Sequence, residues 1–459
     1  MDKLFSLKKK KVLLVGLGLH GGGKSVVRYL LKHKARVKVA DAKTRKELFH
    51  TLKFFPGLRG TFGKINIQDV AWADVIVKNP GVPEDHVLLK LARTQCKPIL
   101  SDISLFQFSI AKKFECAVTG TRGKTTVTSL IGHICKGRFP KVFIGGNNRV
   151  PALTGISAAQ KSKVILELSS FQIEDANPRS RIAVFTTFFP DHLNRYKNLK
   201  SYFAAKAKLF FQQEQTDIAV LNYDNQRIRG LAKRIKSQTY FFSLHKLPQR
   251  VRGVYLFKNS FYIQDCGTAK RVVLIKDLRL FGLHNFQNVS AAVCASYVAG
   301  IPLAIIRKRL CSFRGVAFRL QEIRRLQGRI LFNDTTATSP EALAAAYRTL
   351  RERFPLSTLR IIAGGADKKL DYSIFKKMHT DLNVCVYPLQ GTATSRLLRS
   401  IPFRHTSVCT SLSSAVARAW KESSSQDIIV LSPGAASFGM FLHEFDRGEQ
   451  FNVLVKKLR

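Results

Sequence analysis

The sequence predicts an α/β protein of three domains, and two observations lead to this prediction. Short apolar runs typical of strands alternate with helical patterns along the 459-residue chain, which is the arrangement of parallel sheets covered by helices. Glycine-containing or polar segments directly follow several of these runs, as in sheets that bind ligands at the carboxyl ends of their strands. We place the domains at residues 1–110, 111–315 and 316–459, a size that fits roughly 100–200 residues per domain.

The first domain shows the βαβ rhythm most clearly. Strands are predicted at Lys11–Val15, Val37–Asp41 and Val75–Val77, with a helix over Ser25–His33. The basic run Lys8–Lys11 before an apolar stretch is also typical of a signal peptide. The apolar stretch is short and leads into glycines instead of a small-residue cleavage site, so we predict a buried first strand.

The other two domains repeat this alternation. In the second, the predicted elements are strands Cys116–Val118, Val164–Leu166 and Ala183–Thr186 and helix Thr125–Cys135. In the third, they are strands Ile330–Phe332, Leu359–Ala363 and Ile428–Val430 and helix Pro340–Leu350.

Composition argues against several classes of protein. Hydrophobic residues make up 45% of the chain, which is a globular and not a disordered composition. No apolar run approaches the ~18 residues that span a bilayer, so no membrane insertion is expected. The eight cysteines are scattered without a C-x-x-C pair, which predicts reduced thiols, no zinc site and a cytoplasmic location. We expect a monomer.

The charge balance is unusual, because 76 Lys and Arg residues against 30 Asp and Glu residues give a net charge of +46. Such a surface attracts polyanions without sequence preference. The basic residues are dispersed, and no nucleic-acid-binding motif accompanies them, so no specific nucleic-acid partner is expected. Anionic substrates would also be attracted by this field.

The strongest motif is the segment Thr119–Thr126, TGTRGKTT, between a predicted strand and a predicted helix. Its glycines allow backbone amides to surround phosphate oxygens at a helix N-terminus. Lys124 can neutralise the β- and γ-phosphates, and Thr125 can bind Mg²⁺. The usual pattern has glycine where this chain has Val118, so the segment is a variant phosphate loop that predicts ATP binding.

A second glycine motif, residues 16–21 with the sequence GLGLHG, follows the first predicted strand. Asp41 lies about 20 residues further on, at the end of the second strand, as in dinucleotide-binding folds. The motif indicates either a dinucleotide cofactor or a nucleotide-bearing substrate, and a tight turn without ligand is the third interpretation.

Two polar segments also follow predicted strands of the second domain. Glu167 begins the run ELSSFQ after one strand, and Asp191-His192 follows another. Because both positions are near the carboxyl ends of strands, we expect them beside the phosphate loop. Glu167 and His192 are suitable ligands for a magnesium–phosphate site.

Together these motifs resemble the Mur ligase family over nearly the whole chain. The segments that carry the resemblance, in order, are Gly120–Thr126, Glu167–Glu174, Asp191–Tyr196, Ala204–Lys206, Gly282–Asn288, Leu431–Phe438 and Phe445–Gly448. The family implies a Rossmann-like N-terminal domain, a central P-loop ATPase-like domain and a Rossmann-like C-terminal domain. The implied activity is ATP-dependent joining of an amino acid to a peptidoglycan precursor, with ATP and two Mg²⁺ ions as cofactors.

The ELSSFQ run and the C-terminal motifs are similar to the branch of the family that adds D-glutamate to UDP-N-acetylmuramoyl-L-alanine. By motif, the resemblance assigns ATP contacts to Gly120, Thr121, Arg122, Gly123, Lys124, Thr125, Thr126, Asn285, Asn288, Arg319 and Asp334. It assigns contacts with the muramoyl nucleotide to Leu19, His20, Asp41, Asn147, Ser169, Gln172 and His192, and contacts with the amino acid to Thr338, Lys368, Ser437 and Phe438. It assigns catalysis to Lys124, Glu167, His192 and Lys206, and metal binding to Thr125, Glu167, His192 and a carbamate formed on Lys206.

This chain departs from the family pattern in the third domain. Phe318 precedes Arg319 where the pattern has histidine, and Glu444-Phe445 reverses the usual order. Thr336 stands where the family has a lysine near the amino acid, so one cation is lost and a hydroxyl remains, which is expected to lower affinity while the preference for a carboxylate survives. The alternatives are therefore a ligase for another amino acid, such as L-glutamate, and a nucleotide-dependent polyanion-binding protein.

Overall fold

The computed structural model describes residues 6–18, 22–147, 150–192, 195–367, 370–378 and 380–459. The chain forms two compact units. The first contains the residues up to 277 together with 284–311, and the second contains residues 278–283 and 312–459. The boundary expected between residues 110 and 111 lies inside the first unit, and the three domain ranges stay predictions.

The N-terminal part of the first unit is a parallel sheet with strand order β3-β2-β1-β4-β5. Leu13 and Leu14 of the central strand pack into cores on opposite faces, because helices cover both sides of a parallel sheet. The three strands predicted here are confirmed. The elements are β1 (Lys11–Val15), α1 (Gly22–Lys32), β2 (Arg36–Asp41), α2 (Phe49–Leu52), β3 (Arg59–Phe62), α3 (Gln68–Trp72), β4 (Val75–Lys78), α4 (Val87–Thr94), β5 (Ile99–Ser101) and α5 (Asp102–Ile110).

The remainder of the first unit is built on a larger sheet with strand order β14-β13-β12-β11-β10-β9-β6-β8-β7. Its strands are parallel from β6 to β12, and β13 and β14 extend it as an antiparallel edge. The predicted strands and helix are again confirmed. The elements are β6 (Phe114–Thr119), α6 (Lys124–Cys135), β7 (Val142–Gly146), α7 (Ile156–Gln160), β8 (Lys163–Glu167), α8 (Ser170–Ala176), β9 (Ser180–Phe185), α9 (Leu199–Phe211), β10 (Ile218–Asn222), α10 (Gln226–Leu231), β11 (Gln238–Ser243), β12 (Gly253–Phe257), β13 (Ser260–Asp265), β14 (Thr268–Leu274), α11 (Leu283–Val298) and α12 (Leu303–Ser312).

The second unit contains a sheet with strand order β15-β16-β20-β17-β18-β19, in which β15 is an antiparallel edge. Ser339 caps the helix that starts at Pro340, its hydroxyl accepting a hydrogen bond from the amide of Ala342, as serine commonly does at a helix N-terminus. The elements are β15 (Gln321–Leu326), β16 (Arg329–Asn333), α13 (Pro340–Arg353), β17 (Leu359–Ala363), β18 (Val384–Pro388), α14 (Thr394–Ser400), β19 (Arg404–His405), α15 (Leu412–Lys421), β20 (Ile428–Leu431) and α16 (Glu444–Lys457). Among the described residues, no helix is both long and apolar enough to cross a membrane.

A buried ion pair joins the two sheets of the first unit. Lys78, the last residue of β4, places its Nζ 2.6 Å and 2.7 Å from the carboxylate oxygens of Asp175 on α8, and Glu84 lies 2.9 Å from the same nitrogen. Burial raises the pKa of Asp175 to about 7, although the Lys78 ammonium acts to lower it. Because unpairing a buried charge is costly, this contact holds the N-terminal sheet against the central one.

A buried arginine holds two loops of the second unit. Arg447, near the start of α16, is fully buried and donates from Nε to Thr335 Oγ1 at 3.0 Å and from Nη2 to the Thr335 carbonyl at 2.9 Å. It also donates to the Ala435 carbonyl at 3.4 Å. Thr335 follows β16 and Ala435 follows β20, so one guanidinium fixes both loops at the same sheet edge. Burial lowers the pKa of Arg447 to about 10, which still leaves it charged at neutral pH.

The variant Arg447→Met should loosen both loops. It leaves the Thr335 and Ala435 carbonyls buried without their donor, which costs stability, and we expect a melting temperature lower by several degrees. Amide hydrogen exchange, followed by mass spectrometry, is expected to accelerate in residues 334–338 and 433–437 before it accelerates elsewhere in the unit.

The matched control is Arg325→Met, because Arg325 is exposed and pairs only with Glu322 at the surface, where such pairs contribute little. It is expected to leave the melting temperature and both loops unchanged. Wild-type protection of the two loops in Arg447→Met would contradict this role.

Candidate active site

The phosphate loop connects β6 to α6, as the sequence predicts. Gly120 has φ +150°, and a Cβ there would lie 1.9 Å from Thr186 Oγ1. Gly123, the N-cap of α6, has φ +84°, and a Cβ would lie 2.4 Å from Asn288 Oδ1. Both positions therefore require glycine, because any side chain would displace the loop from its supports. Val118, where the usual pattern has glycine, is a buried strand residue and needs no turn.

The loop is anchored by two threonines that the sequence reasoning did not single out. Thr186 Oγ1 donates to the carbonyl of Arg122 at 2.6 Å, and the Arg122 amide donates to Thr187 Oγ1 at 2.9 Å. The Thr121 amide donates to the Thr187 carbonyl at 2.8 Å. Asn222 at the end of β10 supports Thr186 in turn through a 2.7 Å hydrogen bond to its carbonyl. Polar residues directly after the apolar strand β9 were the signal available in the sequence.

Two lysines meet at the same loop carbonyl. Lys124 Nζ and Lys206 Nζ each donate to the Gly120 carbonyl at 3.0 Å. Lys206 lies on α9 and is only 2% exposed. Burial lowers the pKa of Lys206 well below its usual value, and the nearby Lys124 charge lowers it further. The structure thus places Lys206 beside the phosphate loop, in surroundings that increase the fraction of its neutral amine.

Aromatic side chains lie beside Lys206. The ring of Tyr202 lies 4.7 Å from Lys206 Nζ, and its hydroxyl lies 3.3 Å from Thr121 Oγ1. The His192 ring packs edge-on to Tyr202, with centroids 5.9 Å apart. Burial lowers the pKa of His192, and the charges of Lys206 and Lys124 lower it further, against the opposing effect of Asp191. A neutral imidazole is the form that binds metal ions.

Glu167 is the last residue of β8 and pairs with Val118 of β6, which places it directly beside the phosphate loop. Its Oε1 accepts a 3.0 Å hydrogen bond from Asn147 Nδ2. Its Oε2 is buried, and no described residue donates a hydrogen bond to it. A buried carboxylate oxygen without a partner is costly, and a hard cation is the group that such an oxygen binds.

The donor set therefore fits Mg²⁺. No group of three or more His, Cys, Asp or Glu side chains suited to a metal is found in the described part of the chain. Mg²⁺ is commonly held by one or two carboxylates together with water and substrate phosphates. Glu167 is a carboxylate of that kind, and the metal-binding roles of Thr125 at the start of α6 and of His192 stay predictions.

Ser169 and Gln172 form the capping box of α8. The Gln172 amide donates to Ser169 Oγ at 3.2 Å, and Gln172 Nε2 donates to Asp102 Oδ2 at 3.1 Å. Burial raises the pKa of Asp102. Both residues thus stabilise the helix start and its contact with α5, and their predicted contact with substrate stays a prediction.

In the N-terminal glycine motif, Asp41 binds the turn itself. Its Oδ2 accepts from the amides of Leu17 at 2.7 Å and Gly18 at 3.2 Å, and its Oδ1 accepts from Lys43 at 2.8 Å. Two amides of the turn are therefore occupied by a carboxylate of the protein, which weakens the dinucleotide interpretation. Leu19 and His20, predicted to contact the nucleotide, lie outside the described residues.

Asn285 and Asn288 lie in the first turns of α11. Asn288 is buried, donates to Asn285 Oδ1 at 3.4 Å and touches the phosphate loop at Gly123. The helix therefore positions both amides at the loop, where the sequence predicts ATP contacts.

In the second unit, Asp334 is buried and accepts from the Leu320 amide at 2.9 Å and from Ser432 Oγ at 3.0 Å. Burial raises the pKa of Asp334 to about 7. Thr336 donates its hydroxyl to the Phe318 carbonyl at 2.8 Å. The hydroxyl that stands in place of the family lysine is therefore already donated to a neighbouring carbonyl.

The other residues predicted in the second unit differ in exposure. Ser437 is 3% exposed and Phe438 is 57% exposed. Arg319 is exposed and Thr338 is partly buried. Lys368 lies outside the described residues. Their predicted contacts with ATP or the amino acid stay predictions.

Comparison with protein families agrees with this arrangement. Residues 10–101 match the "Mur ligase MurD-like, N-terminal domain", residues 118–296 match the "Mur ligase middle domain", and residues 318–435 match the "Mur ligase, glutamate ligase domain". Solved structures share the fold. They include the alanine ligase MurC from Thermotoga maritima, with a TM-score of 0.56, 17% identity and coverage of 97% of this chain and 99% of that one. MurF ligase from Thermotoga maritima in complex with ADP also has a TM-score of 0.56, with 16% identity and coverage of 99% and 98%.

Relatives match along their full length. The UDP-N-acetylmuramoylalanine–D-glutamate ligase of Roseiflexus sp. is 35% identical over 98% of this chain and 99% of its own. The protein of the same name from Borreliella burgdorferi is 33% identical over 99% of both chains. With three domain matches in the expected order and full-length relatives above 30% identity, the chain belongs to the Mur ligase family.

Proposed function

We propose that this chain is the ATP-dependent ligase that joins D-glutamate to UDP-N-acetylmuramoyl-L-alanine in peptidoglycan precursor synthesis. The observation that carries the proposal is the meeting of the phosphate loop, Glu167 and the buried Lys206 at the carboxyl edge of the central sheet. The full-length relatives named D-glutamate ligases support the choice of substrates. A cytoplasmic location and a monomeric state stay predictions.

The proposed reaction has two steps. A carboxylate is a poor electrophile, so the alanyl carboxylate first takes the γ-phosphoryl group of ATP and becomes an acyl phosphate, releasing ADP. The neutral amine of D-glutamate then attacks the acyl carbon, the amide bond forms and phosphate leaves, while the nitrogen loses one proton and keeps the other as the amide N–H. Both steps concentrate negative charge on oxygen atoms, so positioning and electrostatic stabilisation supply most of the catalysis.

ATP is proposed to bind at the loop Gly120–Thr126. The loop amides and the N-terminus of α6 face the phosphates, and the Lys124 ammonium, which contacts the loop carbonyls of Gly120 and Thr121, would move onto the phosphate oxygens. Further proposed contacts come from Asn285, Asn288, Arg319 and Asp334.

Two Mg²⁺ ions are proposed to bind beside the loop. Thr125, Glu167, His192 and a carbamate on Lys206 would hold them, and the buried Glu167 Oε2 is the strongest single argument. When bound, such cations neutralise phosphate charge and polarise the bonds that change. The protein itself contributes a carboxylate, a hydroxyl and an imidazole whose lowered pKa keeps it neutral.

Carbamylation of Lys206 follows from its environment. Burial lowers the pKa of Lys206 well below its usual value, which increases the fraction of neutral amine, and only the neutral amine attacks carbon dioxide. The nitrogen forms a bond with the carbon of CO₂ and loses a proton, so an anionic carbamate replaces a potential cation. An ammonium at this position would repel the metal ions, whereas the carbamate attracts them.

Substrate contacts are proposed on both units. The muramoyl nucleotide would contact Leu19, His20, Asp41, Asn147, Ser169, Gln172 and His192. The amino acid would contact Thr338, Lys368, Ser437 and Phe438. Asp41 already holds the turn after β1, so its main contribution is to shape that turn.

Lys124→Ala should lower kcat by on the order of 100-fold or more, because the ammonium stabilises charge that develops on phosphate. Phosphate release in the presence of both substrates measures the effect. Lys136→Ala, at the exposed far end of the same helix, is the control and should retain wild-type kcat. Near-normal turnover by a folded Lys124→Ala protein would contradict the loop assignment.

Lys206→Ala should be poorly active and partly rescued by formate, which supplies a carboxylate in place of the carbamate. Lys208→Ala on the same helix is the control, since Lys208 is exposed, and it should need no additive. Mass spectrometry of CO₂-equilibrated wild-type protein after carbamate trapping should locate the modification at Lys206. Full activity of Lys206→Ala without formate would exclude this role.

A panel of D- and L-amino acids tests the acceptor. D-glutamate should give the highest kcat/KM with UDP-N-acetylmuramoyl-L-alanine. The Thr336 hydroxyl donates to the Phe318 carbonyl. The variant Thr336→Lys should therefore lower the KM for D-glutamate by about tenfold, because the added ammonium makes a charge-assisted contact with its carboxylate. The control Thr336→Ser should leave this KM unchanged. Faster ligation of a neutral or cationic amino acid would refute the assignment, and preference for L-glutamate would refute only its stereochemistry.

A further inference from the structure

A basic cavity lies at the amino-terminal ends of strands of the central sheet, whereas the phosphate loop lies at the carboxyl-terminal ends. It has a volume of about 440 Å³. Its lining comes from residues just before β6, just before β7 and at the start of β8. These strands are parallel, and the phosphate loop follows the carboxyl end of β6, so the cavity and the loop are at opposite strand ends.

We propose that this cavity is a second anion site that binds a small phosphate-bearing ligand. Five lysines line the cavity, together with the carboxylate of Glu115. The lysines are Lys112, Lys113, Lys141, Lys161 and Lys163. The proposal concerns a binding site and does not depend on the ligase activity.

The charge inside the cavity is not cancelled by its acids. Glu115 is buried and shared between Lys163, at 2.8 Å, and Arg181, so one carboxylate faces two cations. Lys113 pairs with both Asp217 and Glu214, so one cation there faces two carboxylates, and this offsets the excess at Glu115. The net positive charge of the cavity therefore comes from Lys112, which has no carboxylate partner among the described residues, and from Lys141 and Lys161.

Lys112 is held in place by backbone oxygens. Its Nζ donates to the carbonyls of Gln160 at 2.9 Å and Ser162 at 2.8 Å. An ammonium has three donors, so one N–H is left for a ligand on a nitrogen that is already fixed. Burial lowers the pKa of Lys112, and the charge of Lys163 lowers it further. A bound anion would relieve that repulsion.

Lys141 and Lys161 are the adjustable cations of the cavity. Both are exposed, and within the described part of the chain neither side chain makes a hydrogen bond or an ion pair. Long side chains with three donors suit phosphate oxygens as movable point charges.

The volume and one apolar wall of the cavity favour a small organic ligand over a nucleic-acid backbone. Phe139, Pro140 and Val164 form an apolar part of the lining, and Lys163 Nζ lies 5.2 Å from the Phe139 ring centroid. A cavity of this volume is within the range of small-molecule sites. A flat basic surface without an apolar wall is sufficient for non-specific binding of nucleic acid.

Titration calorimetry with inorganic pyrophosphate tests the proposal. Lys124→Ala serves as the background, so that binding at the phosphate loop is weakened. The double substitution Lys141→Ala/Lys161→Ala in this background should weaken pyrophosphate binding by on the order of tenfold or more, since each lysine contributes a charge-assisted contact. Thermal melting checks that the variants remain folded.

The matched control is Lys233→Ala/Lys236→Ala, which removes the same charge from exposed positions before β11, three strands away in the sheet. It should leave pyrophosphate affinity unchanged. Equal losses in both double variants, or no pyrophosphate binding to the background, would overturn the proposal. A loss restricted to a single-stranded oligonucleotide, with pyrophosphate affinity unchanged, would also overturn it and identify a nucleic-acid surface.

Discussion

The close approach of Gly120 to Thr186 is the constraint on which the catalytic edge depends. A Cβ at Gly120 would lie 1.9 Å from the Thr186 hydroxyl, so only glycine lets the loop pass directly over the end of β9. In this conformation the Gly120 carbonyl accepts hydrogen bonds from both Lys124 Nζ and Lys206 Nζ. It also allows the Thr186 hydroxyl to hold the Arg122 carbonyl. Loop shape, lysine position and the support from α9 therefore depend on one steric requirement.

Three buried cations show how differently the fold compensates charge. Lys78 is paired with the Asp175 carboxylate and connects the two sheets of the first unit. Arg447 is compensated mainly by neutral oxygens and fixes two loops of the second unit. Lys206 donates to the Gly120 carbonyl beside the Lys124 ammonium. Burial is the main cause of its lowered pKa. The Lys206 arrangement favours loss of the charge, because burial and a neighbouring ammonium both lower the pKa of the amine, and a neutral amine suits chemical modification.

The net charge of +46 acts at two levels. Most basic residues are dispersed and raise the general attraction for anions, including the proposed substrates. The cavity before β6, β7 and β8 differs because five lysines and an apolar wall line the same open cavity. Concentration of like charge in a concave site costs electrostatic free energy that an anion would recover. A local concentration of positive charge, and not the total charge of the chain, distinguishes an anion-binding site from a surface that binds anions non-specifically.

Much of the fold and of the catalytic edge is determined by sequence patterns that act locally. Apolar runs predict β1, β6 and β8 because parallel strands are buried on both faces, and glycines with Lys124 predict the phosphate loop because the backbone and charge requirements are short-range. The position of Glu167 follows from its place at the end of a strand. Only the tertiary structure places Thr186 and Thr187 under the loop, since strand order in the sheet is not encoded in local spacing.

The same limit explains the residues that the sequence did not assign. Arg447 and Lys78 are surface-type residues in composition, and their burial depends on partners more than 90 positions away along the chain. The use of the Thr336 hydroxyl by the Phe318 carbonyl likewise depends on how two loops meet. The sequence by itself determined the family, the strands and the ATP loop. The tertiary structure decided which polar groups are satisfied and which, like Glu167 Oε2, are left for a ligand, because hydrogen-bond satisfaction is a property of packing and not of sequence spacing.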